Sequence, residues 1–289
     1  MEFLVFTDNP STGETRLVLE ELRGRGHRVE YLAPWDVLLP GFQPQMDAAY
    51  VPSNMLHRGT TFELVHRLLV LRRLEEEAPV VNPVDSMLVY SKEHLTLTLR
   101  RLGLPHPETL VTENLEEARG FAERLLGEGR EVVLKPVCRA RGLGVVKLSG
   151  IRSPGDLTQF LHWYSRAWGG GVFYLQEYVE NRGFDVRLLV VGGEVVGREA
   201  RHNPSDFRYN VAVGGEASPF TSPEFDELAL KVAEALGLAI TGIDVLPSSQ
   251  GDPVVLEANC YPGYHALMKA TGAPVPQRIA DYLERVARR

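Results

Sequence analysis

Thr241-Gly-Ile-Asp-Val-Leu246 and Val254-Val-Leu-Glu-Ala-Asn259 are two apolar runs, each interrupted by one carboxylate and joined by Pro247-Ser-Ser-Gln-Gly-Asp-Pro253. Runs of this length, bounded by proline, glycine and serine, read as the strands of a hairpin. With the turn centred on Gln250-Gly251, antiparallel pairing sets Asp244 opposite Glu257, both side chains on one face. Asn259 lies two residues on and shares that face. Carboxylates facing each other repel, so a cation is expected between them. Oxygen donors of this kind point to Mg²⁺ rather than zinc. An exposed edge carrying ordinary acids is the alternative that the local pattern leaves open.

Upstream, Val132-Val-Leu-Lys-Pro-Val-Cys-Arg-Ala-Arg-Gly-Leu-Gly-Val-Val146 places Lys135 in a strand beside a flexible loop. Backbone N–H groups of such a loop can wrap phosphate oxygens, with Gly142 and Gly144 permitting close approach. The Walker pattern GxxxxGK[ST] is absent, and a plain hairpin loop is the competing interpretation. Tyr174-Leu-Gln-Glu-Tyr-Val179 is an aromatic strand that can offer backbone groups to a purine, or can simply be buried. Arg187 shares its face with Leu189 and Val191. A charge there needs a partner, either a phosphate or a structural pair with Asp185. Arg201 and Phe207-Arg-Tyr-Asn210 continue this basic and amide cluster.

Around these motifs the chain divides by pattern. Strands at Phe3–Phe6, Val29–Leu32, Ala48–Val51 and Val80–Val81 alternate with helices from Gly13 to about Arg23 and from Phe62 to Leu74. Alternation of this kind predicts a parallel sheet with helices on both faces. A linking helix is expected from about Asp85 to Arg101, ended by Gly103 and Pro105. A small α+β segment follows, with helices at Leu115–Leu126 and Leu157–Trp168. Antiparallel strands, a helix from about Pro223 to Leu236, the hairpin and a terminal helix from about Pro276 to Ala287 complete the chain.

The chain has 289 residues, 44% hydrophobic and 24% charged, which is the balance of a globular protein. A formal net charge of −7 argues against nucleic-acid binding, and no apolar run is long enough to span a membrane. The start lacks a basic and then apolar leader pattern, so no signal peptide is expected. With Cys138 and Cys260 alone, a disulfide framework is not expected and a reducing cytoplasm fits. Of 31 basic residues only Lys92, Lys135, Lys147, Lys231 and Lys269 are lysines, so a lysine inside a motif carries extra information.

Taken in order, these pieces resemble the ATP-grasp superfamily, and within it the RimK-type amino-acid ligases, from about Ser86 to Gly272. The family's linking-helix lysine matches Lys92, followed by Gly103-Leu-Pro-His-Pro-Glu-Thr109. Its phosphate lysine matches Lys135. Its adenine hinge matches Gln176, Glu177, Tyr178 and Val179. Its Asp-x-Arg matches Asp185 and Arg187, and an arginine on the next strand matches Arg201. Its Phe-Arg-x-Asn and Gly-Gly elements match Phe207 to Asn210 with Gly214 and Gly215. Its Mg²⁺ residues match Asp244, Glu257 and Asn259, continuing as Asn259-Cys-Tyr-Pro-Gly263, and Lys269-Ala-Thr-Gly272 fits the RimK-type ending. The chain departs from the pattern at Cys138-Arg-Ala-Arg141, at Tyr209, at Cys260-Tyr261 and at Ser53, positions that in the family face nucleotide or acceptor.

The resemblance implies a mixed α/β and α+β ATP-grasp fold. An N-terminal Rossmann-like (pre-ATP-grasp) α/β domain would span 1–84. A central subdomain with the linking helix and phosphate loop would span 85–178, and a C-terminal subdomain with the Mg²⁺-binding hairpin 179–289. It implies an ATP-dependent, ADP-forming carbon–nitrogen ligase working through an acyl phosphate, adding a glutamate-like amino acid to a carboxylate of a protein tail, carrier protein or coenzyme. ATP and Mg²⁺, or Mn²⁺, are the implied cofactors. Lys92, Lys135, Gln176, Glu177, Tyr178, Val179, Asp185 and Asn210 would bind the nucleotide, and Arg201 and Arg187 would be catalytic. The partners implied are ATP, amino-acid and carboxylate substrates, an acidic carrier or target protein, and further copies in a homodimer or homotetramer. Excluding water from the acyl phosphate requires a lid, expected at Cys138–Gly144. Arg139, Arg141, Arg198 and Arg208 are the candidates for a basic rim that receives an acidic acceptor. Two other readings stay open: an ATP-grasp kinase acting on a small molecule, and a nucleotide-binding regulator without turnover.

Overall fold

The alternation in the first eighty residues folds as its periodicity requires. β1 (Glu2–Phe6), β2 (Arg28–Leu32), β3 (Ala48–Tyr50) and β4 (Val80–Val81) form a parallel sheet in the order β2-β1-β3-β4. Phe3 and Val5 pack with Val18, Leu19 and Leu22 of α1 (Gly13–Gly24). Leu4 and Phe6 pack with Val70, Leu71 and Leu74 of α2 (Thr61–Glu75). The period of two in β1 thus puts one helix on each face. Thr60 and Glu63 close a capping box at the start of α2. The structure is a computed structural model and describes residues 1–39, 41–52, 56, 60–138, 142–150, 153–169 and 171–288. Ser53, Arg139 and Arg141 lie outside the described residues.

The linking helix differs from the expectation. Val84–Tyr90 is a 3₁₀ turn, and α3 (Lys92–Leu102) starts afresh after Ser91, whose backbone is extended (φ −89°, ψ 125°). The break makes Lys92 the first residue of a helix instead of an interior one. Beyond it, β5 (Thr109–Thr112), α4 (Leu115–Gly127), β6 (Val132–Lys135), β7 (Val146–Lys147), α5 (Pro154–Tyr164) and β8 (Phe173–Glu177) build an antiparallel sheet in the order β5-β8-β6-β7. α5 stops at Tyr164, short of Trp168, and passes into a π turn over Ser165–Gly169.

The third sheet carries the hairpin. β9 (Phe184–Val191), β10 (Glu194–His202), β11 (Glu216–Pro219), β12 (Ile240–Pro247) and β13 (Pro253–Asn259) pair antiparallel in the order β11-β10-β9-β12-β13. α6 (Pro223–Ala235) covers one face, together with residues from the first sheet. Val186, Leu188 and Val190 join that core, while Leu189 and Val191 face Ile279 and Leu283 of α8 (Val275–Ala287) and Phe3 and Val5 of β1. A short helix, α7 (His265–Thr271), was not expected from the pattern. Its Leu267 seats directly over Gly197 of β10, where any side chain would collide. Asn82 stitches the first sheet to the third: its amide donates to the carbonyls of Ile240 (2.8 Å) and Cys260 (2.9 Å) and accepts from the Ile240 N–H (2.7 Å). Among the described residues no helix is long and apolar enough to cross a membrane.

Candidate active site

Asp244 pairs with Glu257 as expected, but the turn is not centred on Gln250-Gly251: Pro247 pairs with Pro253 and Leu246 with Val254, and a bulge between Asp244 and Val245 shifts the register by one residue to bring the carboxylates opposite. Asp244 also pairs with Arg187 on β9, and Arg187 with Glu199 on β10. One cross-strand row therefore reads Glu257, Asp244, Arg187, Glu199. Arg201 and Asp185, also paired across β9 and β10, stand two residues away on the same face.

Within this array Arg187 grips Asp244 with two bonds of 2.8 Å each. Arg201 grips Asp185 at 2.7 and 2.5 Å and reaches Asp244 at 3.0 Å. The structural partner of Arg187 is thus Asp244 and not Asp185, because the central strand β9 offers its side chains to both neighbours and Arg201 already occupies Asp185. Burial opposes charge on Asp244, but Arg187 and Arg201 outweigh it and hold the carboxyl below its ordinary range. Arg201 is 1% exposed, and its guanidinium is held firmly charged by the two aspartates despite its burial.

Two cavities meet on this face. The first, a cleft of about 110 Å³ between the second and third sheets, is lined by Lys92, Lys135, Gln176 to Val179, Asp185, Asn210, Asp244 and Glu257. All eight residues expected at the nucleotide therefore converge there. Lys135 donates to Gln176 Oε1, and Gln176 Nε2 donates to Thr109 Oγ1 at 3.0 Å. Burial pushes the Lys135 ammonium down to about 8, with Lys92 adding to the effect and Glu257 and Asp244 opposing it. Lys92 Nζ lies 3.4 Å from Glu257. At the hinge the Glu177 and Tyr178 N–H groups are taken by the Glu108 and Glu131 carbonyls, both at 2.8 Å, and the Glu177 side chain by Arg130. Asp185 borders the cleft with both oxygens committed to Arg201.

Arg208 Nη1 donates to the Gly142 carbonyl at 2.9 Å and so ties the chain just before β7 to the Phe207–Asn210 segment. That segment doubles back so tightly that a side chain on Gly215 would strike the Tyr209 carbonyl, which is why the Gly-Gly pair is needed. Tyr209 spends its hydroxyl on Asn181 Oδ1 at 2.7 Å. Arg208 is itself paired with Asp206, and Arg198 is held bidentate by Asp226 at 2.6 Å outside both cavities. The described part of the expected basic rim is therefore neutralised by local carboxylates.

The second cavity, about 310 Å³, is lined by Arg187, Arg201, Asn259 and Glu199 on one side and by Asp8, Thr12 and Glu14 of the N-terminal layer on another. Glu257 and Asn210 border both cavities. Sequence reasoning missed Glu199, although the period of two from Arg201 places it on the same face. It also missed the contribution of residues 8–14, which only the packing of the first sheet onto the third brings in. Cys260 faces the core, where burial pushes its thiol up to about 12, so it offers no thiolate.

The expected metal residues can be tested against the chemistry. Among the described residues no cluster of three or more His, Cys, Asp or Glu side chains suits a metal. What stands at the junction is two carboxylates and an amide. Mg²⁺ is commonly held by one or two carboxylates together with substrate phosphates, so this set suffices. Asn259 Nδ2 is buried without a hydrogen-bond partner among the described residues. An amide can be turned over without changing its shape, which would put its oxygen there instead. Glu257 and Asn259 fit the ion, while Asp244 fits only to the extent that it shares its oxygens with Arg187 and Arg201.

Known proteins resemble the chain along most of its length. It is 29% identical over 245 residues to a tetrahydromethanopterin:alpha-L-glutamate ligase of Methanocaldococcus jannaschii, covering 83% of this chain and 80% of the relative. It is 30% identical over 313 residues to a probable alpha-L-glutamate ligase 2 of Shewanella amazonensis, covering 99% and 96%. Its fold superimposes with a TM-score of 0.75, at 21% identity and with 99% and 98% coverage, on the ATP-grasp ligase PsnB complexed with a phosphomimetic variant of a minimal precursor, Mg and ADP. The model of the RimK-like ATP-grasp domain matches residues 90–283, two of the three sheets and the whole of the array described above, and the chain belongs to that family.

Proposed function

We propose that the chain is an ATP-dependent, ADP-forming ligase that joins a carboxylate to the amine of a glutamate-like amino acid through an acyl phosphate. The observation that carries this reading is the junction at Glu257 and Asn210. A lysine-lined cleft and an arginine-lined cavity open onto the same few atoms. Lys92 and Lys135 would neutralise the phosphates, and adenine would lie along Gln176–Val179. Glu257 and Asn259, with Asp244 behind them, would hold Mg²⁺, or Mn²⁺ in its place, which when bound offsets the charge of the triphosphate. Arg201 and Arg187 would stabilise the phosphoryl group in transfer and the oxyanion that follows. Positioning and electrostatics would supply the catalysis, with no covalent enzyme intermediate.

Relatives named as glutamate ligases support glutamate as the amine. The tetrahydromethanopterin ligase supports a coenzyme as carrier of the carboxylate, and the precursor-bound ligase supports a polypeptide. The test is ADP and phosphate release from Mg-ATP against a panel of amino acids, with and without cell extract as the source of carboxylate. Release that requires both, with an amide in the product by mass spectrometry, is the expected result. A stable phosphorylated small molecule would make the chain a kinase instead. ATP surviving for hours under every condition would make it a nucleotide-binding regulator.

A further inference from the structure

Among the described residues the charges in the second cavity do not cancel. Arg187 is spent on Asp244, and Arg201 on Asp185 and Asp244, so the two guanidiniums are matched by two aspartates. Glu199 is left over. It is 2% exposed, stands in register with Arg187, lines the cavity, and its Oε2 has no hydrogen-bond partner among the described residues. Burial pushes its carboxyl up, and Arg187 and Arg201 only partly offset that. A buried acceptor without a donor is costly, so the donor is expected to come from the cavity. Glu14 on another wall adds negative charge, and among the described residues of the lining His265 is the other basic side chain. The ligand group that suits this surplus is a cation with N–H donors, not a carboxylate.

We infer that Glu199 receives the ammonium group of the incoming amino acid and takes one of its protons before the amide forms, an assignment that rests on the ligase reading above. One ammonium proton passes to the Glu199 carboxylate and frees the nitrogen lone pair. The nitrogen attacks the carbonyl carbon of the acyl phosphate and the C–N bond forms. The C–O bond to phosphate then breaks, and phosphate leaves with the bonding pair and the second proton. Glu199 lies across β9 from the hairpin and so approaches the junction from the side away from the lysines.

The test is calorimetric, on the full chain with Mg²⁺ and a non-hydrolysable ATP analogue, using L-glutamate and glutarate, which differ by the amine alone. The wild type should bind L-glutamate at least roughly tenfold more tightly than glutarate, the size of one charge-assisted hydrogen bond. Glu199→Gln should close that gap while leaving the affinities for glutarate and nucleotide in place, and Glu199→Asp should restore part of it. If Glu199→Gln does not fold, Glu199→Asp carries the comparison by narrowing the gap. A wild type that does not distinguish the two ligands overturns the assignment. So does a Glu199 variant that weakens both equally, which would make Glu199 a support for Arg187. A ligase reading that is wrong shows itself separately, as no ADP release from the wild type. In turnover, amide formation by Glu199→Gln should fall far more than hydroxamate formation with hydroxylamine, which is uncharged at neutral pH and needs no proton removed before it attacks.

Discussion

In the first cleft two of the described cations are lysines in replaceable contacts, Lys135 on an amide oxygen and Lys92 with a carboxylate 3.4 Å away, while Arg208 is paired with Asp206. In the second cavity they are arginines, each locked in a two-bond grip on a buried aspartate. A lysine is a compact point charge that re-partners readily, whereas the guanidinium fork fixes geometry. The lysines are thus positioned to exchange their contacts for phosphate, while most of the arginines' charge is already spent inside the protein. The difference teaches that similar positive charge does different work on the two sides of Glu257. On one side it awaits an anion. On the other it fixes the strands through buried aspartates while staying charged beside the proposed transfer, and Glu199 is left without a partner among the described residues.

Removing an arginine should break this contrast most sharply. Arg201→Met leaves Asp185 and Asp244 buried with half their compensation gone, and loss of one partner of a buried pair costs about 3–5 kcal/mol. Urea unfolding should show a loss of that size, and a loss below roughly 1 kcal/mol would mean that the array is not a scaffold. On the other side, Lys135→Ala and Glu257→Gln should each lower ADP release by about 10²–10³-fold, as deletion of one electrostatic contact to a transition state does. Their unfolding midpoints should stay near that of the wild type. Full turnover in either variant would remove the nucleotide-site assignment.

The contrast also marks where sequence reasoning reaches. The facing of Asp244 and Glu257 is expected from the sequence, but it is reached through a bulge that the alternation does not show, since the register set at the turn would by itself place Asp244 opposite Leu256. Ordered motifs pick out eight residues, expected at the nucleotide, that line one cleft. The bidentate partners were not legible: Arg187 meets Asp244 from 57 positions away only because β12 lies beside β9, and strand order is set by the packing of the whole sheet. The same holds for Glu199, whose missing partner is a fact about what three strands do not supply. Ser91 is a third case. A serine ahead of Lys92-Glu93 is a possible helix start, but the apolar spacing from Asp85 runs through it, and the extended backbone there shows that the start prevailed.

Lys135 sharpens the comparison through protons. Its folded value of about 8 lies below the ordinary lysine value of 10.5 because burial disfavours the ammonium. Phosphates in the cleft should raise it again. Between pH 8 and 10.5 the free protein holds this side chain largely neutral, so ATP binding should take up a proton there and weaken as pH rises. Calorimetry in buffers of different ionisation enthalpy measures the uptake. No uptake at pH 9 would mean either that Lys135 is already charged in the free protein or that it never meets phosphate.

The smallest effect is expected at Lys147, a lysine of the same sheet that does not line the cleft. Its Nζ sits 3.6 Å from the centre of the Tyr178 ring and is paired with Glu131 at 2.6 Å, so it braces the hinge from behind. A cation over an aromatic ring at a partly exposed position is worth about 0.5–1 kcal/mol. Lys147→Met keeps the stem and removes the charge. It should weaken ADP binding by roughly two- to fivefold, measured by titration, and leave turnover at saturating ATP nearly unchanged. Lys147→Arg should restore the affinity, since a guanidinium also stacks on the ring. If Lys147→Met instead stopped turnover as Lys135→Ala does, the two lysines would belong to one phosphate site. The cleft would then hold three exchangeable cations, and its contrast with the arginine array would rest on number as well as on geometry.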